Sequence, residues 1–208
     1  MGVAGAERNA LCDLFVKVGP DAPTLCTGWK TRDLAAHLAL RDRRPDAAAG
    51  IAIKPLAPYT EKVQQDFAGK SWDELIELVR TGPPRWSPLA LPALNEQVNA
   101  AEFFVHHEDV RRAQPGWEPR PSDPTRDNAL WRAVSVTGRM SFRRSPVGVA
   151  LRRPDGTQVQ LKQGPRTVTL KGDPGELLLY VFGRKEARVE FDGDPDAVNI
   201  VKELKHGY

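Results

Sequence analysis

An α+β protein is predicted, with an antiparallel four-helix bundle over residues 1–143 and a small α+β domain over 144–208. Three observations predict it. Apolar residues recur at helical spacing through the first two-thirds of the chain, as in Leu11, Leu14, Phe15 and Val18, or Trp72, Leu75, Ile76 and Val79. From about Pro146 the period changes to two, with Val147, Val149 and Leu151 alternating before Pro154-Asp155-Gly156, and Val159 and Leu161 after it. Between these regions, His37, Glu102 and His106 place polar groups where helices should turn toward a core.

The elements follow in order. The first helix ends at Gly19-Pro20, and a loop rich in turn formers runs from Asp21 to Lys30. Thr31 is expected to cap a helix reaching about Leu40, with Asp33 in its positive first turn. A connection over 44–58 leads to a short helix, Thr60 to Ala68. Ser71-Trp72-Asp73-Glu74 reads as a capping box for a helix that stops at Gly82-Pro83-Pro84. After a loop broken by Pro88 and Pro92, a long helix spans about Leu94 to Ala113, and another spans Asp127 to Met140. Helices of this kind pack as an antiparallel bundle, in which ligands from facing helices project inward. The C-terminal domain is expected to hold the hairpin, strands at Thr167–Lys171 and Arg188–Phe191, a helix at Glu176–Phe182 and a terminal helix at Pro195–Leu204.

Composition excludes several classes of function. A net charge of +3 comes from 30 basic and 27 acidic residues interspersed along the chain. Arg41, Arg43 and Arg44, and Arg143 and Arg144, cluster without interleaved aromatics, which argues for solvated faces or an anion sink rather than nucleic-acid binding. No stretch approaches the ~18–20 apolar residues of a membrane span. No secretory signal is expected from the N-terminal residues, which lack a basic segment followed by an apolar run, and Ala6 breaks the myristoylation pattern. Two cysteines, Cys12 and Cys26, make no disulfide framework and suit a reducing compartment, so a cytoplasmic location is expected.

The chemistry-bearing residues lie on two helices. Glu102 and His106 are four apart and share a helix face. Such a pair alone stabilises a helix by about 0.2–0.5 kcal/mol. However, Val98, Glu102, Val105 and Asp109 follow one stripe, so Glu102 interrupts an apolar face where an unpaired carboxylate would cost several kcal/mol. His37 falls three residues after Leu34 and beside Leu38, on an inward face. A carboxylate and two imidazoles from separate helices make a divalent-metal site with room for water or substrate.

Longer motifs carry a family resemblance. Pro23-Thr24-Leu25-Cys26-Thr27-Gly28-Trp29 through Asp33-Leu34-Ala35-Ala36-His37-Leu38 resembles the P-T-x-C-x-G-W-x-x-x-D-L-x-x-H-L segment of the mycothiol-dependent maleylpyruvate isomerase family, within the DinB-like metal-binding four-helix bundles. Glu102, His106 and Asp109 meet that family's E-x-x-x-H-x-x-D pattern. The run Gly172 to Arg184 resembles the G-x-x-x-E-L-L-L-x-L-x-G-R segment of its sterol-carrier-like C-terminal domain.

The resemblance implies that His37, Glu102 and His106 bind one divalent metal, zinc before others, with Asp109 behind a ligand. The alternative for Asp109 is an ion pair with Arg111 or Arg112. It further implies a low-molecular-weight thiol such as mycothiol as cosubstrate and a small electrophile as substrate, with neither nucleic acid nor membrane as partner. Arg41 and Arg184 are the cations expected to meet a substrate carboxylate. Trp29 is expected to pack its loop, Cys26 to be a small buried residue, and His107 to stand outside the ligand set. The leading expectation is a metal-dependent isomerase or S-transferase. The alternatives are a non-enzymatic metal- or ligand-binding protein, and a metal-dependent hydrolase with Asp109 or Glu108 as base.

Overall fold

A computed structural model describes residues 2–51, 53–87 and 90–204, and shows an α+β chain. It divides into two units, Met1–Pro119 and Arg120–Tyr208. This division precedes the expected one at 143/144. The difference is the helix over Pro124–Ser141, which packs against elements of the second unit. Pro88 lies outside the described residues.

The first unit is helical: α1 (Val3–Val18), α2 (Thr31–Arg43), α3 (Pro45–Ala48), α4 (Ala57–Ala68), α5 (Trp72–Thr81) and α6 (Pro92–Arg111). Helix α1 packs on α6 and α5, and α2 on α4 and α5. Its core joins Leu11, Cys12 and Phe15 of α1 to Leu34, Leu38 and Ala39 of α2, Leu75, Ile76 and Val79 of α5, and Phe103 and Val110 of α6. Among the described residues, five helices of ten residues or more, α1, α2, α4, α5 and α6, and the four-residue α3 make up this unit.

Helix ends show what local sequence hides. Helix α1 starts at Val3, well before its apolar stripe, because the Glu96 carboxylate of α6 accepts from Val3 N at 2.8 Å and Ala4 N at 3.0 Å. This satisfies orphan amide donors across 93 residues of chain. Gly2 leaves the room, since a Cβ there would meet Glu96 Oε2 at 2.2 Å. The N-cap of α2 is Lys30 rather than Thr31: Asp33 Oδ2 accepts from Lys30 N at 2.9 Å, while Thr31 Oγ1 donates to Gly19 O at 2.6 Å. Ser71 caps α5 as expected, its Oγ accepting from Glu74 N at 3.3 Å. The 44–58 connection holds α3 and two 3-10 turns.

In the second unit, α7 (Pro124–Ser141) is capped by Asp123 and packs on β2 and α8. The sheet has the order β2-β1-β3-β4, from β1 (Val149–Arg152), β2 (Gln158–Lys162), β3 (Val168–Lys171) and β4 (Glu190–Asp192). β1 and β2 form the expected antiparallel hairpin, β3 runs parallel to β1, and β4 is antiparallel to β3. Helix α8 (Pro174–Val181) lies between β3 and β4 in sequence, and α9 (Pro195–Glu203) ends the described chain. Gly138 lets α7 approach β2 closely: a Cβ there would stand 2.7 Å from Leu161 Cδ1. No described helix is long and apolar enough to cross a membrane.

Candidate metal centre

Helix α2 buries most of its length, and His37 projects from it at 7% exposure between Leu34 and Leu38. Helix α6 brings Glu102 and, one turn on, His106 to the same place. His37 Nε2 lies 3.5 Å from Glu102 Oε1, and His106 Nε2 lies 3.3 Å from that oxygen. The three donor atoms fall within 4.8 Å of one another. Ligands at about 2.0–2.1 Å around a tetrahedral zinc stand roughly 3.3–3.4 Å apart, so this set needs little adjustment to surround one. The rings of His37 and His106 meet edge to face at 5.4 Å, and Trp29 stands 5.2 Å from His37 on another side. Val98, the first residue of the expected stripe, is 39% exposed; the stripe becomes buried further along the helix, at Val105 and Asp109.

Asp109 contacts His106. Its Oδ2 is 2.9 Å from His106 Nδ1, and the residue is wholly buried. Arg111 and Arg112 pair with Glu108, at 2.7 and 2.6 Å. That pairing also occupies the Glu108 carboxylate expected as an alternative base. A carboxylate at Nδ1 places the proton there and leaves Nε2 to face Glu102 and His37.

The electrostatics follow from this crowding. Burial drives His37 below the usual imidazole range, so it is held neutral and ready to offer a lone pair. Burial would also push His106 down, but hydrogen bonds with Asp109, Cys26 and Glu102 override it and raise His106 well above that range. For Glu102, burial pushes upward and is overcome by hydrogen bonds from His106 and His37 and by nearby positive charge, leaving it well below the usual carboxylate range. Both nitrogens of His106 therefore face carboxylate oxygens. A doubly protonated ring satisfies them, and so does a cation at Nε2, which is the chemistry of this donor set.

Arg41 lies one turn past His37, with Nε 3.4 Å from Glu102 Oε1 and Nη1 donating to Asn99 Oδ1 at 2.5 Å. Asn99 is buried and donates in turn to Asn95 Oδ1 at 2.7 Å. Sequence reading missed Asn99, although its place three residues before Glu102 was the available signal. Arg184 belongs to the second unit, where its Nη1 donates to Phe182 O at 2.7 Å. His107 stays outside the ligand group, bonded through Nδ1 to Glu7 of α1 at 2.8 Å.

Cys26 is partly exposed rather than buried, and its Sγ lies 3.2 Å from Asp109 Oδ2. Its loop is pinned to α6 by Leu25 N donating to Asp109 O at 3.0 Å, and shaped by Thr24 Oγ1, which donates to Trp29 O at 2.8 Å.

No family model and no curated protein matches the chain. Among solved structures, it is similar to the mycothiol-dependent maleylpyruvate isomerase and to a histidine-to-alanine mutant of that enzyme. Each matches at 16% identity and a TM-score of 0.61, over 91% of this chain and 90% of theirs. At that identity the likeness is one of fold.

Proposed function

We propose that this protein is a divalent-metal-dependent, thiol-using isomerase or S-transferase of small electrophiles, with a mycothiol-type cosubstrate. The observation that carries the reading is the convergence of His37, Glu102 and His106 with Asp109 behind His106. Similarity of fold to a mycothiol-dependent isomerase supports the choice of thiol and reaction class. A group of three ligands among the described residues suits a reactive site, because a structural zinc site is closed by four.

In this reading His37, Glu102 and His106 hold the ion, zinc by preference, and Asp109 keeps the His106 proton on Nδ1 so that Nε2 can ligate. A bound dication lowers the proton affinity of a thiol and polarises a carbonyl, which is what thiol addition to an unsaturated acid requires. Arg41, steadied by Asn99, keeps Glu102 ionised and presents a cation to a substrate carboxylate. Trp29, packed against His37, limits the ring's freedom and narrows the approach to it.

The test is elemental analysis of the purified protein beside a His37→Ala variant, followed by titration of a cobalt-substituted sample with a low-molecular-weight thiol. Near one equivalent of metal in the parent, weaker cobalt binding in the variant and a sulfur-to-cobalt charge-transfer band that grows with added thiol support the proposal. Metal binding with no response to thiol would favour the hydrolytic or purely structural alternative. Absence of metal from both proteins would overturn the site itself.

A further inference from the structure

A second donor group lies on the other side of the same imidazole. The sulfur of Cys26, a ring nitrogen of His106 and a carboxylate oxygen of Asp109 all fall within 4.8 Å of one another. Oδ2 of Asp109 is shared, 3.2 Å from Cys26 Sγ and 2.9 Å from His106 Nδ1. The three come from two local structures, the ST-turn loop carrying Cys26 and the last turns of α6, which the Leu25–Asp109 backbone bond ties together. Asp109 is wholly buried, whereas Cys26 is partly exposed and offers the way in.

We infer that Cys26, His106 and Asp109 form a second metal site, selective for thiophilic divalent cations such as zinc or cadmium, which competes with the first for His106. Thiolate, imidazole and carboxylate are a zinc-type donor set, and sulfur favours softer ions than the His37–Glu102–His106 group does. Their present spacings are hydrogen-bond distances, and a tetrahedral ion at bonds of about 2.0–2.3 Å would widen them to roughly 3.3–3.6 Å. Rotation about the side chains of a loop cysteine and a helix-end aspartate supplies that movement.

Competition follows from the tautomer. An ion in this group takes the lone pair of Nδ1, so the proton there and the thiol proton of Cys26 both pass to solvent. The remaining ring proton then sits on Nε2 and points at Glu102 Oε1, 3.3 Å away. His106 is thereby lost as a ligand to the first group. Conversely, an ion on Nε2 keeps the proton on Nδ1 and leaves Cys26 and Asp109 hydrogen-bonded to each other. The parent protein should therefore bind one cation or the other, and a thiophilic ion would act as an inhibitor of whatever the first group does.

The experiment is titration of cadmium into metal-free parent, Cys26→Ser, Cys26→Ala and His37→Ala proteins, reading the ultraviolet sulfur-to-cadmium band and the equivalents bound. The band should appear in the parent, persist in His37→Ala, and vanish in both Cys26 variants. Total binding in the parent should not reach two equivalents, and cobalt loaded first should suppress the band. Buried Cys12 gives no alternative source, and loss of the band in the Cys26 variants verifies that. No Cys26-dependent band in either the parent or His37→Ala overturns the second site. Two equivalents bound together overturn the competition. A band in His37→Ala, with no cation bound by either Cys26 variant, would sink the first site and leave this one standing.

Discussion

His106 and His107 are consecutive on α6, 9% and 7% exposed, and each has a carboxylate at Nδ1: Asp109 at 2.9 Å and Glu7 at 2.8 Å. Burial and a carboxylate partner thus do not distinguish them. What differs is the other side of each ring. His106 turns Nε2 to Glu102 and stands edge-on to His37, so donors from α2 and α6 converge on one point. His107 turns about 100° away and joins α1 to α6. Beside it, Arg8 of α1 stacks over Phe103 at 4.1 Å, donates to Val79 O at 2.8 Å and pairs with Asp42 of α2. One face of the helix gathers groups that a cation would share, while the other spends its charges in pairs that join helices.

This contrast can be broken most forcefully on the paired face. Arg8→Ala or Asp42→Ala leaves a buried partner charge uncompensated and should cost about 3–5 kcal/mol of stability, read by urea denaturation. Loss below about 1 kcal/mol would mean that the pair contributes little to joining the helices.

Next comes the direct exchange of the two histidines. His106→Ala should weaken cobalt binding by more than about 100-fold, beyond the effect typical of an outer partner, and His107→Ala should leave it nearly unchanged. His107→Ala should instead lower stability by about 1–3 kcal/mol, because Glu7 loses its partner. Equal losses of metal affinity in both would show that the ligand set is wrong.

Asp109→Asn tests the contact behind the ligand and should reduce cobalt affinity about 10–100-fold at constant stoichiometry, by isothermal titration. The smallest effect concerns Cys12, whose thiol burial pushes up to about 11. Because the folded chain holds this proton more tightly than the unfolded one, the associated stability is fully present below the ordinary thiol range. It is then lost as pH rises toward 11. Denaturation between about pH 9 and 11 should show stability falling by up to about 1.4 kcal/mol per pH unit from this group. Cys12→Ala should flatten that slope.

Much of this was legible from spacing. Glu102 and His106 share a face because four residues make about one helical turn, and the capping box at Ser71 announced α5 by its own chemistry. The contact of Asp109 with His106 Nδ1 was not legible, since Arg111 and Arg112 also lie within one turn of it. Nor could apolar periodicity say which neighbour α7 would pack against: Leu130 and Val134 fit a bundle or a sheet equally well. Start and stop signals also failed where the cap is remote, as when Glu96 closes the first turn of α1. Cys26 looked like a small core residue because its contact with Asp109 spans 83 residues.

The backbone bond from Leu25 N to Asp109 O gives the molecule an internal clock. An amide in an open loop exchanges its hydrogen with water quickly, but this one exchanges only when the loop lifts from α6. Its exchange rate therefore measures how often the segment carrying Cys26 and Trp29 parts from the helix carrying His106 and Asp109. Ion occupancy at either face of His106 should slow that clock, giving a readout of the site that needs no chromophore and no substrate.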